Sequence, residues 1–110
     1  MTTFVCINNL SDLSKDLESP KKFIKKRLSG EMISGLFFYS NAVNEFLNEA
    51  RLTEWLDYSS SEDISIYACR NSLIKRNISE KINPLINAVG LGQLIEGVLN
   101  NKKTIVIGRL

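Results

Sequence analysis

The run Ile64-Ser65-Ile66-Tyr67-Ala68-Cys69-Arg70-Asn71-Ser72-Leu73-Ile74-Lys75-Arg76 decides how the chain is read. Residues 64–68 are β-branched, aromatic or small, as a buried strand requires. From Cys69 onward the pattern turns helical and basic, with Leu73 and Ile74 as its apolar positions. A strand that passes straight into a helix is the repeating unit of an α/β domain. The junction between the two is a cysteine.

Working outward, the same alternation recurs. Thr3-Phe4-Val5-Cys6-Ile7 is a continuous apolar run, suited to a strand covered on both faces of a parallel sheet. Ser34-Gly35-Leu36-Phe37-Phe38-Tyr39 reads as the second strand, residues 85–89 as a short fourth, and Thr104-Ile105-Val106-Ile107 as the last. Between the first two, residues 10–19 read as a polar loop or a weak helical turn. Ser19-Pro20 then starts a helix over 20–28, with serine as N-cap and proline at the first helical position. Val43, Phe46, Leu47 and Ala50 fall at helical spacing after a Ser40-Asn41 cap. Leu52, Trp55 and Leu56 open a second helical phase after a bend near Arg51, with Trp55 assigned to the core. Residues 58–63, with three consecutive serines, read as the connection into the third strand. Leu91, Leu94, Ile95, Val98 and Leu99 define the final helix. The expected fold is a single α/β domain over residues 1–110, three layers deep, with a mainly parallel sheet of four to five strands.

Composition narrows the chemistry. A chain of 110 residues with 44% hydrophobic content supports one globular core. A formal charge of +2 is too small to argue for nucleic-acid binding. No apolar run reaches the length of a membrane span, and the N-terminus has no charged-then-apolar signal pattern, so a cytoplasmic protein is expected. The chain contains no histidine. Ser-His and Cys-His catalysis and the commonest zinc ligand are thereby removed. The two cysteines, Cys6 and Cys69, form no CxxC pair, and no metal or cofactor is expected.

Several motifs weaken on inspection. Gly90-Leu91-Gly92-Gln93-Leu94-Ile95-Glu96-Gly97 superficially evokes a dinucleotide fingerprint, but the third glycine is misplaced and the motif does not follow the first strand. It reads better as a tight turn that lets a helix begin close to the sheet. Carboxylates are scattered, and no P-loop is present. Lys21, Lys22, Lys25, Lys26 and Arg27 make the helix over 20–28 basic; a solvated outer face and a contact for RNA or an acidic partner both fit it. Cys6, within a continuous strand, reads as a small buried hydrophobe.

Cys69 is different. Ligands and reactive groups of parallel sheets collect outside the carboxyl ends of the strands. At that edge, opening a helix, with Arg70, Lys75 and Arg76 nearby, a thiolate is favoured without a histidine base. On residues alone, a reactive thiol and a packed thiol closing a strand stand level.

The order of Gly-Leu-Phe-Phe-Tyr-Ser-Asn-Ala-Val (35–43), Ala-Cys-Arg-Asn-Ser-Leu-Ile-Lys-Arg (68–76) and Val-Gly-Leu-Gly-Gln-Leu-Ile-Glu-Gly (89–97) resembles the DsrE/TusD-like sulfurtransferase subunits. Trp55, in Arg51-Leu-Thr-Glu-Trp-Leu, matches the tryptophan helix of that family. The resemblance covers residues 33–110. It implies a DsrEFH-like domain in which Cys69 carries a persulfide and passes the sulfur on. Arg70 would stabilise the thiolate, and Gly90 and Gly92 would shape the rim of the site. It also implies a heterohexamer with two related subunits, and upstream and downstream sulfur-carrier proteins as partners. Transfer RNA would be met only indirectly, through 2-thiolation of its wobble uridine by a separate enzyme. A DsrE-type role in dissimilatory sulfur oxidation is the alternative branch. A composition rich in Asn, Lys and Ile has the flavour of a reduced genome, where translation functions persist, and this favours the tRNA branch. A non-catalytic assembly subunit is the reading from a different class.

Overall fold

A computed structural model describes residues 2–10, 20–79 and 82–108. Of the segment expected as a loop or weak helical turn over 10–19, residues 11–19, with the Ser19 cap, lie outside the described residues. Five strands, β1 (Thr3–Ile7), β2 (Ile33–Phe38), β3 (Ser65–Cys69), β4 (Ile86–Val89) and β5 (Lys103–Ile107), form one sheet in the order β4-β3-β2-β1-β5. Every pairing is parallel. Helices α1 (Pro20–Arg27), α2 (Glu49–Glu62), α3 (Arg70–Lys75) and α4 (Leu91–Asn100) alternate with them, and a 3₁₀ helix (Ser40–Leu47) precedes α2. The expected α/β domain with a parallel sheet is the observed one.

The strand order decides which face each helix covers. From β1 to β4 the chain steps in one direction across the sheet, so right-handed crossovers put α1, the α2 region and α3 on one face. The connection from β4 to β5 reverses, passing back over β3, β2 and β1 to the far edge. The same handedness therefore puts α4 on the opposite face, alone.

The two faces are filled accordingly. On the first, Val5, Ile7, Leu36, Phe38, Ile66 and Ile107 meet Ile24, Val43, Phe46, Trp55 and Leu73 in a continuous core. Trp55 is fully buried, edge-on to Phe38 at 5.0 Å, and its Nε1 donates to Glu45 at 3.3 Å. On the second face, among the described residues, only Phe4, Cys6, Phe37 and Cys69 are buried together, with Tyr39, Tyr67, Val89 and Leu94 against them. The central strands are therefore apolar on both sides, whereas the outer ones alternate: Ile105 and Ile107 of β5 turn to the thick face, and Thr104 and Val106 stay exposed on the thin one.

Local departures from the sequence reading have physical causes. Residues 40–47 form a 3₁₀ rather than an α-helix, and the break falls at Asn48 instead of Arg51. In a 3₁₀ helix residues three apart eclipse, so Val43 and Phe46 point inward together while Leu47 is left 65% exposed. Asn48 caps α2, its Oδ1 accepting from the Arg51 N–H at 3.2 Å. The serines at 59–61 lie within α2, which ends at Asp63 in a left-handed conformation (φ 54°). The Ser59 hydroxyl donates to the Ile64 carbonyl, tying that end to the start of β3. On α1, Ile24 is buried while Lys22, Lys26 and Arg27 lie at the surface.

Candidate functional site: the carboxyl edge of β3

Period-two alternation along Ser65-Ile66-Tyr67-Ala68-Cys69 sends Ile66 and Ala68 into the thick core and Tyr67 and Cys69 to the thin face. Cys69 is both the last residue of β3 and the N-cap of α3, with extended backbone (φ −66°, ψ 118°) and no side-chain cap bond. Its register partner is Val89, the last residue of β4. The thiol is 7% exposed. It therefore sits where the sheet ends, under a thin layer of Tyr39, Val89 and Leu94.

Polar contacts fix the segment that follows. The Ser40 N–H donates to Ser72 Oγ at 2.8 Å, holding Ser40 in a left-handed conformation (φ 53°) that a serine seldom adopts. Arg76 donates to Asn41 Oδ1 at 2.7 Å and to the Ser72 carbonyl at 3.3 Å. Together these bonds join α3 to the exit of β2, so Cys69 is carried on a braced junction. The Arg70 guanidinium donates to the Ala88 carbonyl at 3.1 Å, reaching across to β4. It thus lies along the edge formed by the ends of β3 and β4. Gly90 follows Val89 and caps α4, which brings it to the same edge.

The expected tight turn at Gly90 and Gly92 is a different matter. A Cβ on either glycine would meet nothing within 4 Å, so neither is required by close approach. The glycine that lets α4 settle on the sheet is Gly97, where a Cβ would lie 2.5 Å from the Phe4 ring. The sequence signal for it was the third glycine of the discarded fingerprint.

Cys6 occupies the same cluster but not the same position. It lies inside β1, 4% exposed, and burial pushes its thiol up to about 11. Cys6 pairs with Phe37 and Phe37 with Tyr67, so a whole strand separates the two thiols. That spacing is about 10 Å across the sheet, beyond the reach of a disulfide. Both cysteines are free.

Two neighbours of the edge escaped the sequence reading. Tyr39 packs against the thiol cluster, and its hydroxyl accepts from Asn8 Nδ2 at 3.2 Å, linking the ends of β1 and β2. A cleft of about 520 Å³, lined by Asn9, Asn41, Asn44, Asn48, Glu45 and Arg51 among others, opens beside the same strand ends. Its Arg51 and Glu45 pair with each other at 2.8 Å. Clustered asparagines at 41, 44 and 48 are visible in the sequence, but only the 3₁₀ geometry brings them to one wall.

No helix among the described residues is long and apolar enough to cross a membrane. No family model matches the chain, and no curated protein matches it by sequence. Solved structures do. The crystal structure of the YchN protein from E. coli superposes with a TM-score of 0.65 at 17% identity, over 97% of this chain and 100% of that one. A conserved protein of unknown function from Bacteroides thetaiotaomicron superposes at 0.66 and 20% identity, over 96% of this chain and 94% of that one. At such identities the likeness speaks for architecture alone, and the architecture is the DsrE-like α/β fold.

Proposed function

We propose that the protein is a sulfur-relay subunit in which Cys69 carries a persulfide, serving 2-thiolation of the tRNA wobble uridine. The observation that carries this reading is the position of Cys69: it ends a strand at the carboxyl edge of a parallel sheet and opens a helix, in a chain without histidine. Sulfur transfer suits those materials. The Cys69 thiolate attacks the outer sulfur of a donor persulfide, the donor S–S bond breaks, and the donor leaves as a thiolate. An acceptor thiolate then attacks the outer sulfur on Cys69, and Cys69 leaves as a thiolate. Neither step changes the net oxidation level, and neither needs a metal or an imidazole. In this reading Arg70 and the basic residues of α3 favour the anion, and upstream and downstream carriers dock at the strand ends. Related subunits complete a hetero-oligomer, and tRNA is modified by a separate enzyme.

The near-complete burial of Cys69 favours a second reading, a non-catalytic subunit in which this thiol is only packing. Mass spectrometry separates the two. Incubation with a persulfide donor is expected to add one sulfur mass to the wild-type chain and to Cys6→Ser, and none to Cys69→Ser. An adduct that survives in Cys69→Ser and disappears in Cys6→Ser sinks the relay assignment. A chain that gains no sulfur from any donor leaves the packing role.

A further inference from the structure

A second cavity lies on the thin face, between α4 and the amino ends of β1 and β2. Its volume is about 180 Å³, and Phe4, Ser34, Tyr67, Gln93, Glu96 and Asn100 are among the residues that line it. The floor is aromatic: the rings of Phe4 and Tyr67 meet at 44° with centroids 6.3 Å apart. Two glycines make room for them. A Cβ on Gly35 would stand 3.0 Å from Tyr67 Cε2 and 3.3 Å from Phe4 Cε1, and one on Gly97 would strike the Phe4 ring from the α4 side. A bulge in β2 adds a hydroxyl. Thr3 pairs with Ile33 and Phe4 with Gly35, so Ser34 is the extra residue, and it lines the cavity. Bulges are rare between parallel strands, and they re-aim a side chain where they occur. The Ser34 Oγ donates to the Thr3 carbonyl at 3.3 Å, which leaves its lone pairs for a ligand.

The wall is the polar flank of α4. Gln93, Glu96 and Asn100 recur at i, i+3 and i+7, on the side of the helix that looks over β2 and β3. Among the described residues, these three side chains and the Tyr67 hydroxyl have no hydrogen-bond or ionic partner within the chain. Polar groups converging on an aromatic floor are the composition of a small-ligand site. We propose that this cavity binds an adenine base that carries no phosphate, as adenosine or as the free base. Volume sets the size of the ligand: about 180 Å³ is below the roughly 300–1,000 Å³ of pockets for drug-sized molecules, and it suits one ring system. Charge sets its class. Among the described residues no lysine or arginine lines the cavity, and its one charged group is the Glu96 carboxylate, which repels phosphates and carboxylates. The polar edges set the base. An Asn or Gln amide offers a donor and an acceptor side by side, the pair that matches N6 and N7 of adenine. The Glu96 carboxylate accepts the second amino proton, and Tyr67 gives the base a ring to stack on. Glu96 and Asn100 are exposed, so the cavity opens on their side and leaves a way out for the ribose. Cys69 lies two residues beyond Tyr67 and takes no part in the binding, so the inference does not depend on the relay reading.

Adenosine titrated into the isotope-labelled full chain is expected to shift the side-chain amide resonances of Gln93 and Asn100 and the backbone resonances around Ser34 and Tyr67. A Kd on the order of hundreds of micromolar is expected for a ligand of this size. Inosine, with a carbonyl in place of the amino group, and adenosine monophosphate, with its added charge, are each expected to bind about five-fold more weakly or worse. Gln93→Ala and Asn100→Ala are expected to weaken adenosine about ten-fold with unchanged circular dichroism spectra, and Cys69→Ser is expected to bind it as the wild type does. Four results would each overturn the proposal. They are a chain without shifts at about 5 mM adenosine, shifts confined to residues outside the cavity, inosine or adenosine monophosphate bound as tightly as adenosine, and binding that neither alanine variant weakens.

Discussion

The two faces of the sheet are made from the same five strands and do different work. The thick face buries Trp55, Phe38, Leu36 and Ile66 beneath three crossovers and holds most of the apolar core. The thin face buries four side chains under one helix, and two of the four are the only cysteines of the chain. The difference follows from one topological event, the reversal between β4 and β5, which sends a single helix to one side. It teaches that the bulk of the burial and the thiols have been separated: among the described residues the face with most of the apolar core buries no cysteine, and the face with both thiols is covered by a single helix.

The largest effect that tests this contrast lies on the thick face. Trp55→Ala removes a fully buried indole that meets Phe38 edge-on and leaves the Glu45 carboxylate without its Nε1 donor. A loss of about 3–5 kcal/mol is expected in urea titrations, a large part of a small domain's stability. A loss below about 1.5 kcal/mol would mean that the thick face is not where the fold is held.

On the thin face the matching change is Gly97→Ala. Its Cβ would lie 2.5 Å from Phe4, a ring already packed against Phe37 and Tyr67, so α4 must lift. Overpacking of this kind costs about 1–3 kcal/mol, partly offset by roughly 1 kcal/mol gained from replacing glycine within a helix. The net effect is expected to be smaller than that of Trp55→Ala. Lifting α4 moves Leu94 away from the thiol cluster, so Cys69 is expected to alkylate several-fold faster while global stability changes little. Equal alkylation rates in both proteins would show that α4 does not control access to Cys69.

How much of this contrast was legible in the sequence depends on whether local or distant contacts set each feature. The strands at 3–7, 64–68 and 104–107, the buried Trp55 and the strand-to-helix junction at Cys69 follow from local apolar pattern and were readable. The 3₁₀ form of residues 40–47 was not, because Val43 and Phe46 are three apart and Leu47 four apart, a spacing shared by both helix types over so short a stretch. The serines at 59–61 were misread because serine favours caps and turns; the helix continues through them because Tyr58 is buried and the Ser59 hydroxyl closes the end onto Ile64. The uneven covering of the sheet was beyond reach, since it depends on strand order, which one-dimensional pattern does not encode. In the sequence Leu91, Ile95, Val98 and Leu99 show only as the apolar positions of a helix, and their exposure is the main surprise of the fold.

The two thiols refine the comparison within the thin face. Burial raises Cys6 from an ordinary 9.0 to about 11. Between those values the unfolded chain releases its thiol proton while the folded chain retains it. Stability associated with Cys6 is therefore complete below pH 9 and lost as pH rises toward 11. Allowing for solvent screening, the alkaline decline is expected to be about 1–2 kcal/mol shallower in Cys6→Ala than in wild type, whatever the offset between them at neutral pH. Identical slopes would place Cys6 in a more solvated setting than β1 affords.

The smallest effect concerns the amino ends of β1 and β5, where β5 is held to the segment before β2. The Glu31 carboxylate accepts from Lys103 Nζ at 2.7 Å and from the Thr3 hydroxyl at 2.7 Å. The Lys103 bond, then the Thr3 bond, hold Glu31 below the usual carboxylate range. A lowered folded-state value means that the contribution is present above the unfolded-state pKa and lost as pH falls through the folded one. Glu31→Gln should therefore be slightly less stable than wild type at neutral pH, and the difference should close in acid. Because the pair is exposed, added salt should also close it. If instead the difference persists in both acid and high salt, the amide has disturbed the packing of Thr3 rather than an ion pair, and the β5 flank is held by its backbone ladder and not by charge.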